Sequence, residues 1–164
     1  MRVSPKPTGL YHAYALLSAA ILPFAGRSRV AKLRDAGVSA PRANEVLGHA
    51  SQPRPDGTLI WFHAASVGES MSVLALIAAM GRACPDMQFL ITSATPTSAE
   101  LIAQRMPPRC RHQFVPLDAK GPLRRFLENW RPDAVVLVES ELWPNTLVAC
   151  QKAGLPVAWV NARL

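Results

Sequence analysis

The sequence predicts an α/β domain, a parallel sheet with helices on both faces. From residue 59 onward, short apolar runs alternate with segments whose apolar residues recur at helical spacing. The run 134–138, Ala-Val-Val-Leu-Val, has no polar residue, which is typical of a strand covered on both faces. Strands and helices that alternate at this spacing form right-handed βαβ units, so we expect a Rossmann-like sheet.

The elements follow from the pattern in chain order. Each apolar run of three to six residues predicts a strand, and each stretch of helical periodicity predicts a helix, with Pro85 and Gly154 as stop signals. We expect strands at 59–64, 89–92, 114–116, 134–138 and 156–160. We expect helices between them, the first with its periodic apolar residues at 73–84 and the others at 99–105, 123–130 and 144–153.

The composition fits one folded domain with an anionic partner. Of 164 residues, 49% are hydrophobic and 18% are charged, which excludes disorder as the main state. A net charge of +7 and a pI near 10.0 indicate nucleic acid, a membrane surface or a phosphorylated ligand. The widely spaced Cys84, Cys110 and Cys150 suggest neither a disulfide framework nor a metal-binding motif, and a reducing cytoplasm is the simpler interpretation.

The N-terminal segment 1–36 is basic and apolar. Residues 1–34 carry six Lys and Arg and no acid, and a nearly all-apolar stretch of thirteen residues, 13–25, lies among them. Since a spanning helix needs about 20 residues, a span is not expected. A signal peptide, a helix in the membrane interface and a core helix stay open, and the flanking cations favour the interfacial helix. The Gly- and Pro-rich stretch 37–58 then predicts a linker before the domain at 59–164.

Ligands of parallel sheets bind outside the carboxyl ends of the strands. In the segment after the first strand, Gly68 allows a tight turn, and Glu69 falls in the first turn of the next helix. The helix dipole favours an ionised carboxylate there, so Glu69 is a candidate general base, although a plain helix-capping role explains it equally. His63 is expected to be a hydrogen-bonded structural residue, and no metal site is indicated.

Two further strand ends carry polar clusters. The hydroxyl-rich segment 92–98 can offer hydroxyls and backbone N–H groups to phosphate or sugar, or can simply cap a helix. It lacks the glycines of a P-loop or of a dinucleotide site. Glu139 and Glu141 follow a buried strand two positions apart, with Arg163 as a plausible counter-charge, and either a ligand crevice or solvent would accommodate them.

Five motifs in order carry a resemblance to a known family. They are 63–69 (His-Ala-Ala-Ser-Val-Gly-Glu), 92–98, 116–118 (Pro-Leu-Asp), 139–145 (Glu-Ser-Glu-Leu-Trp-Pro-Asn) and 161–163 (Asn-Ala-Arg). Together they closely resemble the N-terminal half of bacterial 3-deoxy-D-manno-octulosonic acid (Kdo) transferases of lipopolysaccharide synthesis. The resemblance covers about residues 59–164, and the N-terminus looks like that family's membrane-associating segment.

The resemblance implies a fold and an activity. Such enzymes are GT-B glycosyltransferases, with two Rossmann-like domains, that transfer Kdo from CMP-Kdo to a lipid A precursor with inversion. They act at the cytoplasmic face of the inner membrane and need no metal or cofactor. The N-terminal domain holds the acceptor, the matched base is Glu69, and the matched transition-state stabiliser is Glu139. Acceptor contacts are expected from Ser66, Gly68, Thr95, Thr97, Glu141, Asn145 and Arg163.

The sequence departs from the family pattern in three places. Ser98 stands where Gly is usual, Ser140 stands where Thr is common, and the chain ends at Leu164. We therefore expect the C-terminal donor domain to be absent and this chain alone to be inactive. A non-catalytic membrane- or lipid-binding module is the alternative. Nucleic-acid binding is not expected, because neither a helix-turn-helix signature nor an aromatic stacking platform is evident.

Overall fold

A computed structural model describes residues 8–64, 66–138 and 143–160. Within them, five strands form one parallel sheet in the order β3-β2-β1-β4-β5. The strands are β1 (Leu59–His63), β2 (Gln88–Ser93), β3 (Cys110–Phe114), β4 (Ala134–Val138) and β5 (Val157–Val160). The predicted α/β parallel sheet is thus confirmed. The strand order reverses between β1 and β4, and this is where open α/β sheets form a ligand crevice.

Six α-helices accompany the sheet in the described residues. They are α1 (Gly9–Asp35), α2 (Ala40–Ala43), α3 (Val67–Ala83), α4 (Pro96–Arg105), α5 (Lys120–Trp130) and α6 (Pro144–Lys152). A 3₁₀ turn, Asn44–Leu47, follows α2 directly. Ser66 caps α3 with a side-chain hydrogen bond, and Glu69 lies in the first turn of this helix, as expected. α4 begins three residues earlier than the sequence predicts, because Thr95 caps its first turn.

Both faces of the sheet are buried, and successive side chains along each strand point to one face and then to the other. On one face, Ile60 and Phe62 of β1 pack with residues of α3 and α4. On the other, Leu59 and Trp61 pack against the α5 residues Phe126 and Trp130. Each face therefore has its own apolar core, and the sheet holds its carboxyl edge rigidly between them.

β3 lies at Cys110–Phe114, whereas the sequence predicts a strand at 114–116. The difference arises because β3 carries polar residues that are nonetheless buried. His112 is bonded to Ser93 and Arg42, and Gln113 accepts a hydrogen bond from the Trp130 indole. Polar residues with such partners are stable inside a sheet. Because they interrupt the run of apolar residues, the sequence pattern does not reveal the strand.

The segment 37–58, which the sequence predicts as a linker, is packed against the domain. It contains α2 and the 3₁₀ turn, and Val46 joins Leu33 of α1 and Phe114 of β3 in a third apolar cluster. At Gly48 the backbone has a φ of 87°, and a Cβ there would lie 2.0 Å from the Pro122 carbonyl oxygen of α5. Only glycine fits this close approach.

α1 is longer than its thirteen-residue apolar stretch. The helix has 27 residues, and its most apolar 18-residue window has a mean hydropathy of 1.2 and is 11% buried. By length and composition alone, it could cross a membrane. Its exposed apolar residues include Leu10, Leu16 and Phe24, whereas Ala15, Gly26 and Leu33 are buried against the domain. α1 therefore has one face on the protein and one apolar face in the open.

Candidate active site at the carboxyl edge of the sheet

α1 lies across the ends of three strands. Its Tyr14 hydroxyl donates to Asp118 Oδ2 (2.9 Å), which follows β3. Its Ser18 hydroxyl accepts from the Asn145 side-chain amide (3.0 Å), which follows β4. Its Arg29 guanidinium donates to the Ala94 carbonyl, which follows β2. These contacts place α1 directly over the sheet edge where ligands of α/β folds bind.

A cavity of about 410 Å³ lies between α1 and that edge. His63 of β1 and Asp118 contribute to its floor, and Arg29 and Lys32 of α1 contribute to the opposite wall. The other lining residues are Ala25, Ser28, Ala94, Val115, Pro116, Leu117, Trp143 and Thr146. The sequence predicts a site at this edge, but it gives no indication that α1 supplies one wall.

Glu69 lies in the first turn of α3, just beyond the end of β1. Ser66 is the N-cap of this helix, and its hydroxyl accepts the Glu69 backbone N–H (3.2 Å). Gly68 is exposed between them. The free N–H groups and the dipole of α3 favour a negative charge here, so the capping geometry and an ionised carboxylate base are compatible.

His63 is 2% exposed at the end of β1. Its Nδ1 lies 3.1 Å from the Thr92 hydroxyl, which also accepts the Trp61 indole N–H (2.9 Å). Burial lowers the pKa of His63 to about 4, while the charges of Glu69 and Asp118 act in the opposite direction. His63 is therefore neutral at pH 7. His63 lines the cavity together with Asp118, and Glu69 follows shortly after His63 in the chain, in the first turn of α3.

The hydroxyl-rich segment after β2 forms the N-terminus of α4. Thr95 is its N-cap, and the Thr95 and Ser98 side chains accept one another's backbone N–H groups in a capping box. Thr97 is exposed in the first turn. Ser98, at the position where the resemblance leads us to expect glycine, is buried, and its hydroxyl bonds to that of Ser93 (3.0 Å). The serine thus adds a link between the end of β2 and α4.

A buried polar chain continues from Ser93 away from the cavity. The Ser93 hydroxyl is 2.9 Å from His112 Nε2, and His112 Nδ1 is 2.6 Å from the Arg42 guanidinium. A guanidinium only donates, so Nδ1 accepts and Nε2 carries the proton. Burial and the Arg42 charge lower the pKa of His112 to about 3. The buried Glu45 then accepts the Phe114 backbone N–H (2.7 Å) and pairs with Arg42 at 3.8 Å.

Asp118 and Asn145 join α1, the β3 loop and α6. The two Asp118 carboxylate oxygens accept from the Asn145 backbone N–H, from the Thr146 N–H and hydroxyl, and from Tyr14. Asn145 is 2% exposed, and its amide donates to the Asp118 carbonyl (2.7 Å) and to Ser18. The sequence predicts the segment 116–118 at the strand edge but does not single out Asp118, because its partners come from elements far away in sequence.

The remaining candidates fall outside the described ranges. They are Glu139 and Glu141, which come after β4 in the chain, and Arg163, which comes after β5. The structure brings together Ser66, Gly68 and Glu69 at one strand end, Thr95 and Thr97 at the next, and Asn145 under α1. Across residues 8–64, 66–138 and 143–160, no three His, Cys, Asp or Glu side chains converge as a metal site.

Comparison with known proteins places the chain in a family. Residues 41–164 match the N-terminal glycosyltransferase family described as 3-deoxy-D-manno-octulosonic-acid transferase (kdotransferase). A probable mitochondrial 3-deoxy-D-manno-octulosonic acid transferase of Arabidopsis thaliana is 40% identical over 120 residues, covering 73% of this chain and 27% of the relative. The 3-deoxy-D-manno-octulosonic acid transferase of Rickettsia felis is 48% identical over 90 residues, 55% of this chain and 19% of its own.

The same activity is named for a more distant relative. The enzyme of Haemophilus influenzae is 33% identical over 134 residues, 77% of this chain and 31% of its own length. The chain therefore spans less than a third of each of these relatives. The family match, the motifs and the parallel sheet agree, and the chain belongs to the Kdo transferase family, in which it corresponds to the N-terminal glycosyltransferase domain.

Proposed function

We propose that this chain is the acceptor-binding half of a GT-B enzyme that transfers Kdo from CMP-Kdo to a lipid A precursor. The observation that carries the proposal is the position of Glu69, at the N-terminus of α3 and beside the strand end that faces the cavity under α1. The N–H groups at a helix N-terminus favour a negative charge, and the cavity that His63 lines is of substrate size.

In the proposed reaction Glu69 is the general base. It takes the proton from a hydroxyl of the acceptor sugar as that oxygen attacks the anomeric carbon of Kdo. The new carbon–oxygen bond forms as the bond to the CMP phosphate breaks, with inversion, and CMP leaves with the electron pair. The carboxylate supplies the base that the step needs, and the proposed reaction draws on no metal or cofactor.

The other roles are carried over from the matched motifs. Glu139 would stabilise the transition state. Acceptor contacts would come from Ser66, Gly68, Thr95, Thr97, Glu141, Asn145 and Arg163. Among these, the exposed Thr97 and the caps of α3 and α4 supply polar groups at the strand ends next to the cavity.

The exposed apolar face of α1 supports membrane association. Leu10 is 82%, Leu16 73% and Phe24 77% exposed on a helix that also carries a basic C-terminal half. We place the protein at the cytoplasmic face of the inner membrane, with α1 in contact with anionic lipid. That position would bring the cavity to an acceptor that is itself a membrane lipid.

The direct test is transfer by a Glu69→Gln variant. Because the chain spans less than a third of its curated relatives, this test uses it within a full-length transferase. We expect Kdo transfer from CMP-Kdo to fall by about 10²- to 10⁴-fold while acceptor binding stays within about twofold. Glu100→Gln, on the exposed surface of α4, is the matched control and should transfer normally. Near-normal turnover by Glu69→Gln would exclude its role as base.

Calorimetry of the 164-residue chain separates this function from the alternative. We expect binding to the lipid A precursor and none to CMP-Kdo. A non-catalytic lipid-binding module, which the exposed face of α1 favours, would instead bind any anionic lipid and be indifferent to the sugar. Binding of CMP-Kdo by this chain would contradict the assignment of the acceptor to this half.

A further inference from the structure

Two cavities adjoin under α1. The first, of about 410 Å³, lies toward the C-terminal half of the helix, and the second, of about 330 Å³, lies toward its N-terminal half. They share four lining residues, Ala25, Leu117, Asp118 and Trp143. Both have α1 as one wall and the strand-end loops as the other, so the two cavities lie side by side beneath the helix.

The first cavity is cationic. Arg29 and Lys32, three residues apart on α1, face it from the same side of the helix. The contact from Arg29 to the Ala94 carbonyl holds the guanidinium at the rim and leaves further N–H groups to donate. Asp118 is the single acid among the described lining residues, and its oxygens already accept four hydrogen bonds. The cavity therefore suits a phosphate group.

The second cavity is an apolar groove. It is lined by Leu17, Ile21 and Leu22 of α1 on one side, and by Leu117 and Trp143 on the other. Leu17 is 60% and Ile21 49% exposed, so the groove is open along the helix surface. The groove continues into the exposed apolar face of α1, and a hydrocarbon chain could enter it from a membrane without crossing water.

We propose that α1 is a wall of the substrate site, where Arg29 and Lys32 bind a phosphate of an acylated glycolipid and the groove beside them holds one of its acyl chains. The proposal rests on the proposed function and deepens it, since it gives α1 a role in acceptor recognition beyond membrane attachment. The argument is the adjacency of the two surfaces. A soluble phosphate compound would leave the groove empty, and a neutral lipid would leave the two cations unpaired in the cavity.

The phosphate contact is tested with two charge-matched double variants of the full chain. Arg29→Gln with Lys32→Gln removes two charges from the cavity. Arg27→Gln with Arg34→Gln removes two charges from the same helix at exposed positions that line neither cavity. Binding is measured to phosphatidylcholine nanodiscs that contain the lipid A precursor. We expect the first pair to weaken binding about tenfold or more and the second less than about twofold. Equal losses would overturn the proposal.

Lys32→Gln alone guards against a folding defect. Lys32 is exposed, and the variant leaves the contact between Arg29 and Ala94 in place. We expect about a threefold to tenfold loss of affinity for the precursor, with an unchanged melting temperature. The single variant Arg27→Gln, at an exposed position that lines neither cavity, is its control, and equal precursor affinity of the two variants would count against a phosphate contact at Lys32.

The acyl subsite is tested with adjacent leucines. Leu17 lines the groove and Leu16, the more exposed of the two, does not. We expect Leu17→Gln to weaken binding of the acylated precursor about threefold or more beyond Leu16→Gln, and to leave binding of the de-acylated head group unchanged. Identical behaviour of the two variants would exclude an acyl chain from the groove.

A competition experiment separates a glycolipid site from a simple phosphate site. Inorganic phosphate should displace the bound precursor less well than the de-acylated head group does. Equal competition by the two would show a simple phosphate site instead.

These outcomes separate the inference from the proposed function. Lipid binding is read without turnover, and Glu69 lines neither cavity. If activity depends on Glu69 but precursor binding does not depend on Arg29, Lys32 or Leu17, the lipid site under α1 is refuted and the proposed base is not. Precursor binding that depends on those three residues, in a protein whose Glu69→Gln variant turns over normally, would instead refute the proposed base.

Discussion

At the scale of single residues, Asp118 links α1 to the start of α6 and so holds the two walls of the site together. Its carboxylate accepts two backbone N–H groups at the start of α6, where the helix dipole also favours a negative charge, and it holds Tyr14 of α1. Asp118→Asn replaces an acceptor oxygen by a donor and removes the charge. We expect the free energy of unfolding to fall by about 2 kcal/mol, measured from the urea midpoint. Asp86→Asn, in an exposed turn, is the matched control, and an equal loss in both would contradict this role.

Two buried histidines give the protein a pH-dependent stability. Burial holds the folded-state pKa of His63 at about 4 and that of His112 at about 3, both below the ordinary value of 6.5. The unfolded chain then binds more protons below pH 6.5, so stability falls as pH is lowered from about 6.5 toward 4. Each histidine contributes a slope of up to about 1.4 kcal/mol per pH unit. Burial raises the pKa of Glu45, which opposes this loss toward the lower end of the range.

The measurement is urea unfolding at several pH values between 7 and 4.5. We expect His112→Gln to reduce the dependence of the unfolding free energy on pH by about half, because one of the two titrating groups is gone. His49→Gln, at an exposed position, serves as the surface control. Acid stability equal to or greater than that at pH 7 would contradict the assignment of neutral buried histidines.

At the scale of elements, the sequence reveals strands that are apolar throughout and hides those that are not. β1 and β4 are unbroken apolar runs and were located to within about one residue, whereas β3 carries Arg111, His112 and Gln113 and was placed too late. Its burial depends on Arg42 and Ser93, partners from other elements that one-dimensional periodicity cannot show. The expected position of Glu69, just after β1 in the first turn of a helix, is confirmed because it depends only on topology, and its role as a base stays a prediction.

The position of α1 was beyond sequence reasoning for a related reason. The apolar stretch and its flanking charges predict a helix that can bind a membrane. The same sequence pattern would be present whether or not that helix also packs on the domain. Two hydrogen bonds hold α1 on the domain, one between Tyr14 and Asp118 and one between Ser18 and Asn145. Each joins residues more than 100 positions apart in the sequence. The cavity under α1 could therefore be found only in three dimensions.

The close packing of the 3₁₀ turn on α5 is also testable. Gly48 and Gly154 both have positive φ, 87° and 68°, but only Gly48 would place a Cβ against backbone, 2.0 Å from the Pro122 oxygen. Gly154→Ala is expected to lower the free energy of unfolding by about 1 kcal/mol through backbone strain alone. Gly48→Ala adds a steric clash, and we expect about 3 kcal/mol or more in denaturant unfolding. Similar losses in the two variants would show that α5 and the turn are not packed this closely.

At the scale of the whole molecule, charge and apolar surface act together on one helix. The net charge of +7 attracts anionic membranes through interactions that salt screens, whereas the exposed face of α1 adds an apolar contribution that salt does not weaken. A protein with both should bind anionic vesicles in two separable parts.

Vesicle sedimentation across a salt series measures these two parts. With phosphatidylcholine and phosphatidylglycerol vesicles, we expect binding of the full chain to fall steeply as the ionic strength rises from about 0.01 to 0.5 M and then to level off above zero. Leu10→Gln with Phe24→Gln, at residues 82% and 77% exposed, should lower that plateau and leave the low-salt attraction in place. Arg27→Gln with Arg34→Gln should do the reverse. A single salt-sensitive phase that vanishes completely would mean that the apolar face of α1 contacts something other than lipid.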